Sequence, residues 1–315
     1  MRGLTRLSWP VWLLIIGVVL VVPGAVSATF LVAFQGLRLL SLLRPGLAPP
    51  LTLALLGLAV IGAVVFAIGL VAYVVVGSLS HERAKRGYGS IGTILACLGV
   101  AVIVANLLTL PYAIFQQAHQ PGATALTPAA LVLSVVTLDG ALLGIVYLRI
   151  VHPKVLSWSE LGLTSADLGE RVRLGILLGI GVIVGTALIE LGLRAVGVQQ
   201  TQEQMFSGVL GATPAQFLGV LLAGAVIAPI CEEIFFRGYV FTAVRRTGSV
   251  VGAFVMSSVL FALAHLNLQA FIPILFIGFT FAYVYWRTKS LVPSMIAHAM
   301  NNALALTALY ISRHG

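Results

Sequence analysis

Nine apolar stretches succeed one another along this chain: residues 9–34, 51–78, 91–115, 129–151, 174–197, 216–243, 248–266, 268–287 and 290–311. About 20 such residues are enough to cross the hydrocarbon of a bilayer as a helix. Inside that layer the backbone has to satisfy its own N–H and C=O groups, which a helix does within one segment. The expected fold is therefore all-α, a polytopic transmembrane helical bundle of eight to nine spans. Only 9% of residues are charged and 60% are hydrophobic, against about 25% charged in ordinary soluble domains. That balance excludes a soluble protein.

The charge that remains is basic, 18 Lys and Arg against 9 Asp and Glu. In a membrane chain this sets orientation and does not suggest nucleic acid. Arg2, Arg6, Arg83, Lys85, Arg86, Arg149, Lys154, Arg171, Arg173, Arg245, Arg246, Arg287 and Lys289 fall in loops on one side. Arg38, Arg44, Arg194 and Arg313 fall on the other. The expectation is a cytoplasmic N-terminus, an external C-terminus, and the plasma membrane of a prokaryote. Val26-Ser27-Ala28 is similar to a signal-peptidase site, but the apolar run continues to Phe34, so the first stretch reads as an uncleaved span. Cys97 and Cys231 offer neither a disulfide framework nor a Cys-x-x-Cys pattern.

Three regions follow. Residues 1–151 form an N-terminal four-span extension of unknown role, 152–173 an amphipathic connector lying along the membrane surface, and 174–315 a C-terminal membrane core. Gly175-x-x-x-Gly179 and Gly181-x-x-x-Gly185 permit close helix approach in the fifth span and say nothing about activity. Neither a Walker loop nor an inverted repeat is evident.

Within the sixth span runs Cys231-Glu232-Glu233-Ile234-Phe235-Phe236-Arg237-Gly238. A charge at mid-membrane costs about 2.5 kcal/mol or more, so such residues ask for a function. Consecutive glutamates point about 100° apart on a helix. Arg237 lies four residues after Glu233, the favourable order for an acid–base pair. That leaves Glu232 to face a cavity as a general base. Phe261 and His265 share a helix face, so the ring is expected to pack beneath the imidazole. His298 and Asn302 share another, and two such groups converge on one atom, whether a metal ion or a developing oxyanion. Taken singly, each has a bland reading: a structural salt bridge with a spare acid, a hydrogen-bonded core histidine, or interhelical hydrogen bonds. Together, on three successive helices, they make the parts of a hydrolytic site. Glu190 with Arg194 reads as a snorkelling pair and Cys231 as packing. Asp139, beside Gly140, has no evident role beyond capping a helix break or contacting another span.

Glu-Glu-x-x-x-Arg, Phe-x-x-x-His and His-x-x-x-Asn, in that order on successive membrane helices, resemble the motifs of the CPBP intramembrane proteases, the CAAX prenyl endopeptidases and their bacterial relatives. The resemblance covers roughly residues 155–311, including Glu160-Leu161-Gly162-Leu163, and makes 174–315 a catalytic core, conical in the family. It implies that Glu232 and His265 activate a water, that His298 and Asn302 stabilise the oxyanion, and that Glu233, Arg237 and Phe261 support them. The family has also been described as metalloproteases, in which case Glu232, His265 and His298 would hold zinc. The spacing serves both mechanisms, and Asn302, a poor zinc ligand but a good oxyanion donor, favours the metal-free one. The implied activity is endoproteolysis of a membrane-associated peptide or protein, with lipidated CAAX sequences among the family's substrates. A non-catalytic immunity or binding protein and a proton-relaying transporter are the rival readings.

One tension concerns depth. His265 falls near the far end of its span, so that span is expected to start before Gly248, to tilt, or to end in a turn around Asn267 buried beside a water-filled cavity.

Overall fold

The computed structural model describes residues 9–18, 48–119, 127–198 and 213–314. These are helical almost throughout, and no strand occurs among them. The order is α1 (Trp9–Val18), α2 (Ala48–Ser78), α3 (His81–Gly87), α4 (Ile91–His119), α5 (Pro128–Val151) and α6 (Leu168–Ala195), then α7 (Pro214–Thr247), α8 (Val250–Ala264), α9 (Phe271–Thr288) and α10 (Val292–His314). Six of the described helices have the length and apolarity to cross a membrane: α2 from Val60, α4, α5, α6, α7 and α9. The chain is thus a polytopic helical membrane protein. α8 has 15 residues, and α10 interrupts its apolar face with His298, Asn301 and Asn302. The continuation of the first stretch to residue 34, Val26-Ser27-Ala28 and the basic residues Arg2, Arg6, Arg38 and Arg44 lie outside the described residues.

The chain divides into two compact units, Met1–Gly77 and Ser78–Gly315. In the first, Gly17 lies against Phe66 and Gly69 against Leu13, so closely that a Cβ on either glycine would fall within 3.0 Å of its neighbour. The second unit holds α3 to α10. It therefore gathers α4 and α5, assigned from the sequence to the N-terminal extension, with the helices that carry the motifs.

Local chemistry sets the helix ends. Thr127 caps α5 by accepting from the Ala130 N–H, with Pro128 at the first turn where a missing donor costs nothing. Thr213 and Gln216 form a reciprocal capping box at the start of α7, again followed by a proline. Ser249 caps α8, so that helix does not begin before Gly248. Nor is the turn after it buried: Leu266, in the left-handed region at φ +50°, is 91% exposed and Leu268 is 86% exposed. Asn267 Oδ1 closes the turn by accepting from the N–H groups of Gln269 and Ala270.

The connector docks through Leu161 and Gly162. Tyr285 of α9 donates its hydroxyl to the Leu161 carbonyl at 3.1 Å and shares a hydrogen bond with Thr242 of α7 at 2.8 Å. The Gly162 carbonyl accepts from Leu291 N–H at the head of α10. Gly162 has φ +101°, and a Cβ there would lie 2.8 Å from the Tyr285 ring, so only glycine fits. Beside it, Ser157 donates to Glu160 through both its N–H and its hydroxyl, which holds that carboxyl below the usual carboxylate range.

Candidate active site

α7 carries both glutamates on a short α-helical piece, Ala228–Glu233, between two wider stretches. Pro229 has no N–H and its ring crowds the carbonyl four residues back. The turn before it, Ala223–Ile227, opens into i→i+5 bonding, with Ala228 N–H donating to the Ala223 carbonyl. The second wide stretch, Ile234–Phe241, begins directly after Glu233. There, hydroxyls take up helix carbonyls: Ser257 Oγ donates to Phe236 O at 2.9 Å and Thr242 Oγ1 to Arg237 O at 3.3 Å. Wide turns of this kind concentrate at functional sites.

Glu233 and Arg237 are both fully buried, and Arg237 Nη1 donates to Glu233 Oε1 at 2.7 Å. The other arm of the fork, Nη2, donates to the Gly278 carbonyl at 3.1 Å. Gly278 lets α8 and α9 approach closely, since a Cβ there would stand 3.1 Å from the Ser258 Cα. The guanidinium also lies 4.3 Å from the centre of the Phe261 ring and 5.4 Å from that of Phe281. Carboxylate, carbonyl and two aromatic faces together replace the water this cation gave up.

His298 enters from α10 and turns one nitrogen toward each glutamate. Its Nδ1 is 3.4 Å from Glu233 Oε1 and its Nε2 is 3.7 Å from Glu232 Oε2. The imidazole is buried against the same two rings, with centroid distances of 5.6 Å to Phe261 and 5.3 Å to Phe281. Glu232 stays partly accessible, its side chain 18% exposed. Its Oε2 is buried and has no hydrogen-bond partner among the described residues. α10 is held in place by the glycine seam of α6: a Cβ on Gly175 would lie 2.8 Å from Ile296 Cβ, and one on Gly179 2.9 Å from Met300 Sδ. In the second glycine motif Gly185 meets Phe276, while Gly181 meets nothing within 4 Å.

Asn302 lies one turn beyond His298. Its Nδ2 donates to the Gly224 carbonyl at 2.9 Å, and its Oδ1 accepts from Asn301 at 3.5 Å. The amide is thereby oriented by the first wide turn of α7, with one N–H left over. His265, the C-terminal cap of α8, stands apart. It is exposed, its Nδ1–H donates to the Phe261 carbonyl at 2.8 Å, and its ring meets the Phe261 ring edge-on at 4.8 Å. Phe261 thus meets His265 edge-on instead of lying beneath its imidazole, and packs against Arg237 and His298 as well.

Glu232, Glu233, Arg237, Phe261 and His298 therefore form one contiguous cluster, with Asn302 beside it and His265 joined to it only through Phe261. The set considered for zinc, Glu232, His265 and His298, does not converge. Among the described residues no three His, Cys, Asp or Glu side chains are grouped to hold a metal ion. Sequence reasoning missed Phe281, Gly278 and Gly224. The first two sit three apart on one face of α9, a small residue opposite a close helix and a ring toward the site, which is the only trace they leave in the sequence.

Residues 214–304, which include every member of this cluster, match the family described as Type II CAAX prenyl endopeptidase Rce1-like. Two curated bacterial proteins are similar. The protein named "Putative membrane peptidase YdiL" of Bacillus subtilis (strain 168) is 30% identical over 118 residues, 38% of this chain and 47% of its own length. The UPF0177 protein YxdF of Lactococcus lactis subsp. lactis (strain IL1403) is 33% identical over 110 residues, 35% of this chain and 59% of its own. The matched region thus spans about half the length of these relatives. No solved structure matches the chain. Its C-terminal segment, residues 214–304, is thus similar to the Rce1-like endopeptidases and to a bacterial protein named as a putative membrane peptidase.

Proposed function

We propose that the protein is an intramembrane endopeptidase that cleaves a membrane-associated peptide or protein with an activated water, Glu232 acting as the base. The observation that carries this reading is the placement of Glu232 Oε2: buried, without a partner, and 3.7 Å from His298 Nε2. That separation exceeds a hydrogen bond, so neither group is consumed by the other. It also lets the two address different oxygens on one tetrahedral carbon. Glu232 takes a proton as the water oxygen bonds to the scissile carbonyl carbon. The carbonyl π pair becomes an oxyanion, to which His298 and the remaining Asn302 N–H donate. As the C–N bond breaks, the proton held by Glu232 passes to the leaving amine. Glu233 stays bound to Arg237, its Oε1 3.4 Å from His298 Nδ1.

His265, which meets the cluster through Phe261, joins Glu232 in the activation of water when the exposed end of α8 moves inward. No step is routed through a metal. The substrate class is a peptide presented at the membrane, with a lipidated segment as one candidate. The decisive experiment is cleavage of a panel of membrane-associated peptides, prenylated and unmodified, by the purified protein and its Glu232→Gln form. Turnover by the parent and its loss in Glu232→Gln, with the unfolding temperature kept, supports the reading. Substantial cleavage by Glu232→Gln would falsify it.

A further inference from the structure

Asp139 is a buried carboxyl on a helix to which the mechanism above gives no part. It lies on α5, only 3% exposed, and α5 packs along the Ala228–Glu233 piece of α7. The piece it packs on carries Cys231, Glu232 and Glu233, and the Asp139 and Glu232 carboxyls interact electrostatically. Its Oδ1 is buried with no hydrogen-bond partner among the described residues, the same condition as Glu232 Oε2. No ion pair to Asp139 is formed among these residues either. Two buried, unpartnered carboxyl oxygens on helices that pack together inside a membrane bundle are unfavourable by desolvation. A fold has no packing reason to keep them, and such unsatisfied groups call for a ligand that satisfies both.

We propose that Asp139 is a positioning residue of the same site, holding the attacking water jointly with Glu232. This rests on the hydrolytic reading given above. A water has two O–H groups. One points to Glu232 Oε2 and is the proton transferred; the other points to Asp139 Oδ1 and is retained. With both hydrogens engaged, a lone pair on the water oxygen is left facing the scissile carbon. The O–H bond to Glu232 breaks as the O–C bond forms, and Asp139 ends the step in the state in which it began. His298 and Asn302 remain free for the oxyanion.

The test uses the full-length protein in detergent or bilayer, on any peptide that the parent cleaves and Glu232→Gln does not. Asp139→Leu removes the acceptor and keeps the volume; Asp139→Asn keeps an acceptor oxygen. The expected result is a fall in kcat of about tenfold or more for Asp139→Leu, with KM within about twofold and an unfolding temperature at or above the parent's, because an unpartnered buried acid has been removed. Asp139→Asn should recover most of that kcat. Parent-like kcat in Asp139→Leu overturns the proposal. So does a fall in its unfolding temperature that accompanies lost activity, which marks a structural role, and so does an Asp139→Asn no better than Asp139→Leu. A parent that cleaves nothing in the panel overturns the hydrolytic reading itself, and this proposal with it.

Discussion

The guanidinium of Arg237 lies 4.3 Å from the centre of the Phe261 ring, inside a membrane bundle where neither group meets water. Phe261 also touches His265 and His298, so one ring is the common wall of three polar groups. Its face offers a buried cation about 2 kcal/mol. Phe261→Leu keeps most of the apolar volume and loses that face. We expect it to cost roughly 1–2 kcal/mol and to lower turnover as His298 loosens. Thermal unfolding and cleavage rates of the same preparation check both effects.

Arg237→Ala strands Glu233 in the core without its partner. The expected cost is about 3–5 kcal/mol, seen as loss of folded protein and a lower unfolding temperature. Arg237→Lys should be only a partial remedy, since an ammonium cannot reach Glu233 Oε1 and the Gly278 carbonyl in the fork geometry observed. An Arg237→Ala protein as heat-stable as the parent would remove the structural role given to this pair.

The two glycine motifs of α6 make opposite forecasts. Gly175→Ala pushes a methyl against Ile296 and the Pro293 carbonyl of the His298 helix, at an expected cost of about 1–3 kcal/mol. Gly181→Ala meets nothing and should gain up to about 1 kcal/mol from helix propensity. Differential scanning fluorimetry of the two variants side by side distinguishes them; equal shifts would mean that the seam does not govern α10.

Because Glu232, His265 and His298 do not converge, cleavage is expected to survive strong chelators. Recovery of a chelated, inactive enzyme on adding zinc would instead require His265 to swing into the cluster. Asn302→Asp offers an independent check. A carboxylate there would repel a developing oxyanion and is expected to lower kcat by about 10²-fold or more, whereas beside a cation it would be tolerated.

The helices are legible in the sequence because apolar length alone dictates them: the apolar run 91–115 falls within α4 (Ile91–His119), and 129–151 within α5 (Pro128–Val151). The Glu233–Arg237 pairing was legible for an equally local reason, four residues on one helix face. What lay outside reach depends on neighbours distant in the chain. Nothing near His298 says that it points at the glutamates, since α6 and the connector set the position of α10. Nothing near Asp139 says that α5 packs on Ala228–Glu233. The wide turns of α7 were half visible, as Pro229 and Gly238 weaken a regular ladder, but their effect on which residues share a face needs the coordinates. The depth of His265 is not legible locally: the Ser249 cap and the exposed turn at Leu266 and Leu268 rule out an earlier start and a buried turn, and of the three expectations only a tilted helix is left.

That answer bears on supply. A helix of 15 residues rises about 22 Å, about one and a half turns short of a hydrocarbon layer about 30 Å thick. Lipid adjusts to such a deficit by thinning locally or by letting headgroups descend. Either adjustment brings the aqueous phase down to the end of α8, where His265, Asn267 and Gln269 alternate with Leu266 and Leu268. A hydrolase buried in lipid would consume one water per bond it cuts, and under the proposed function the shortness of this helix would keep that second substrate within reach.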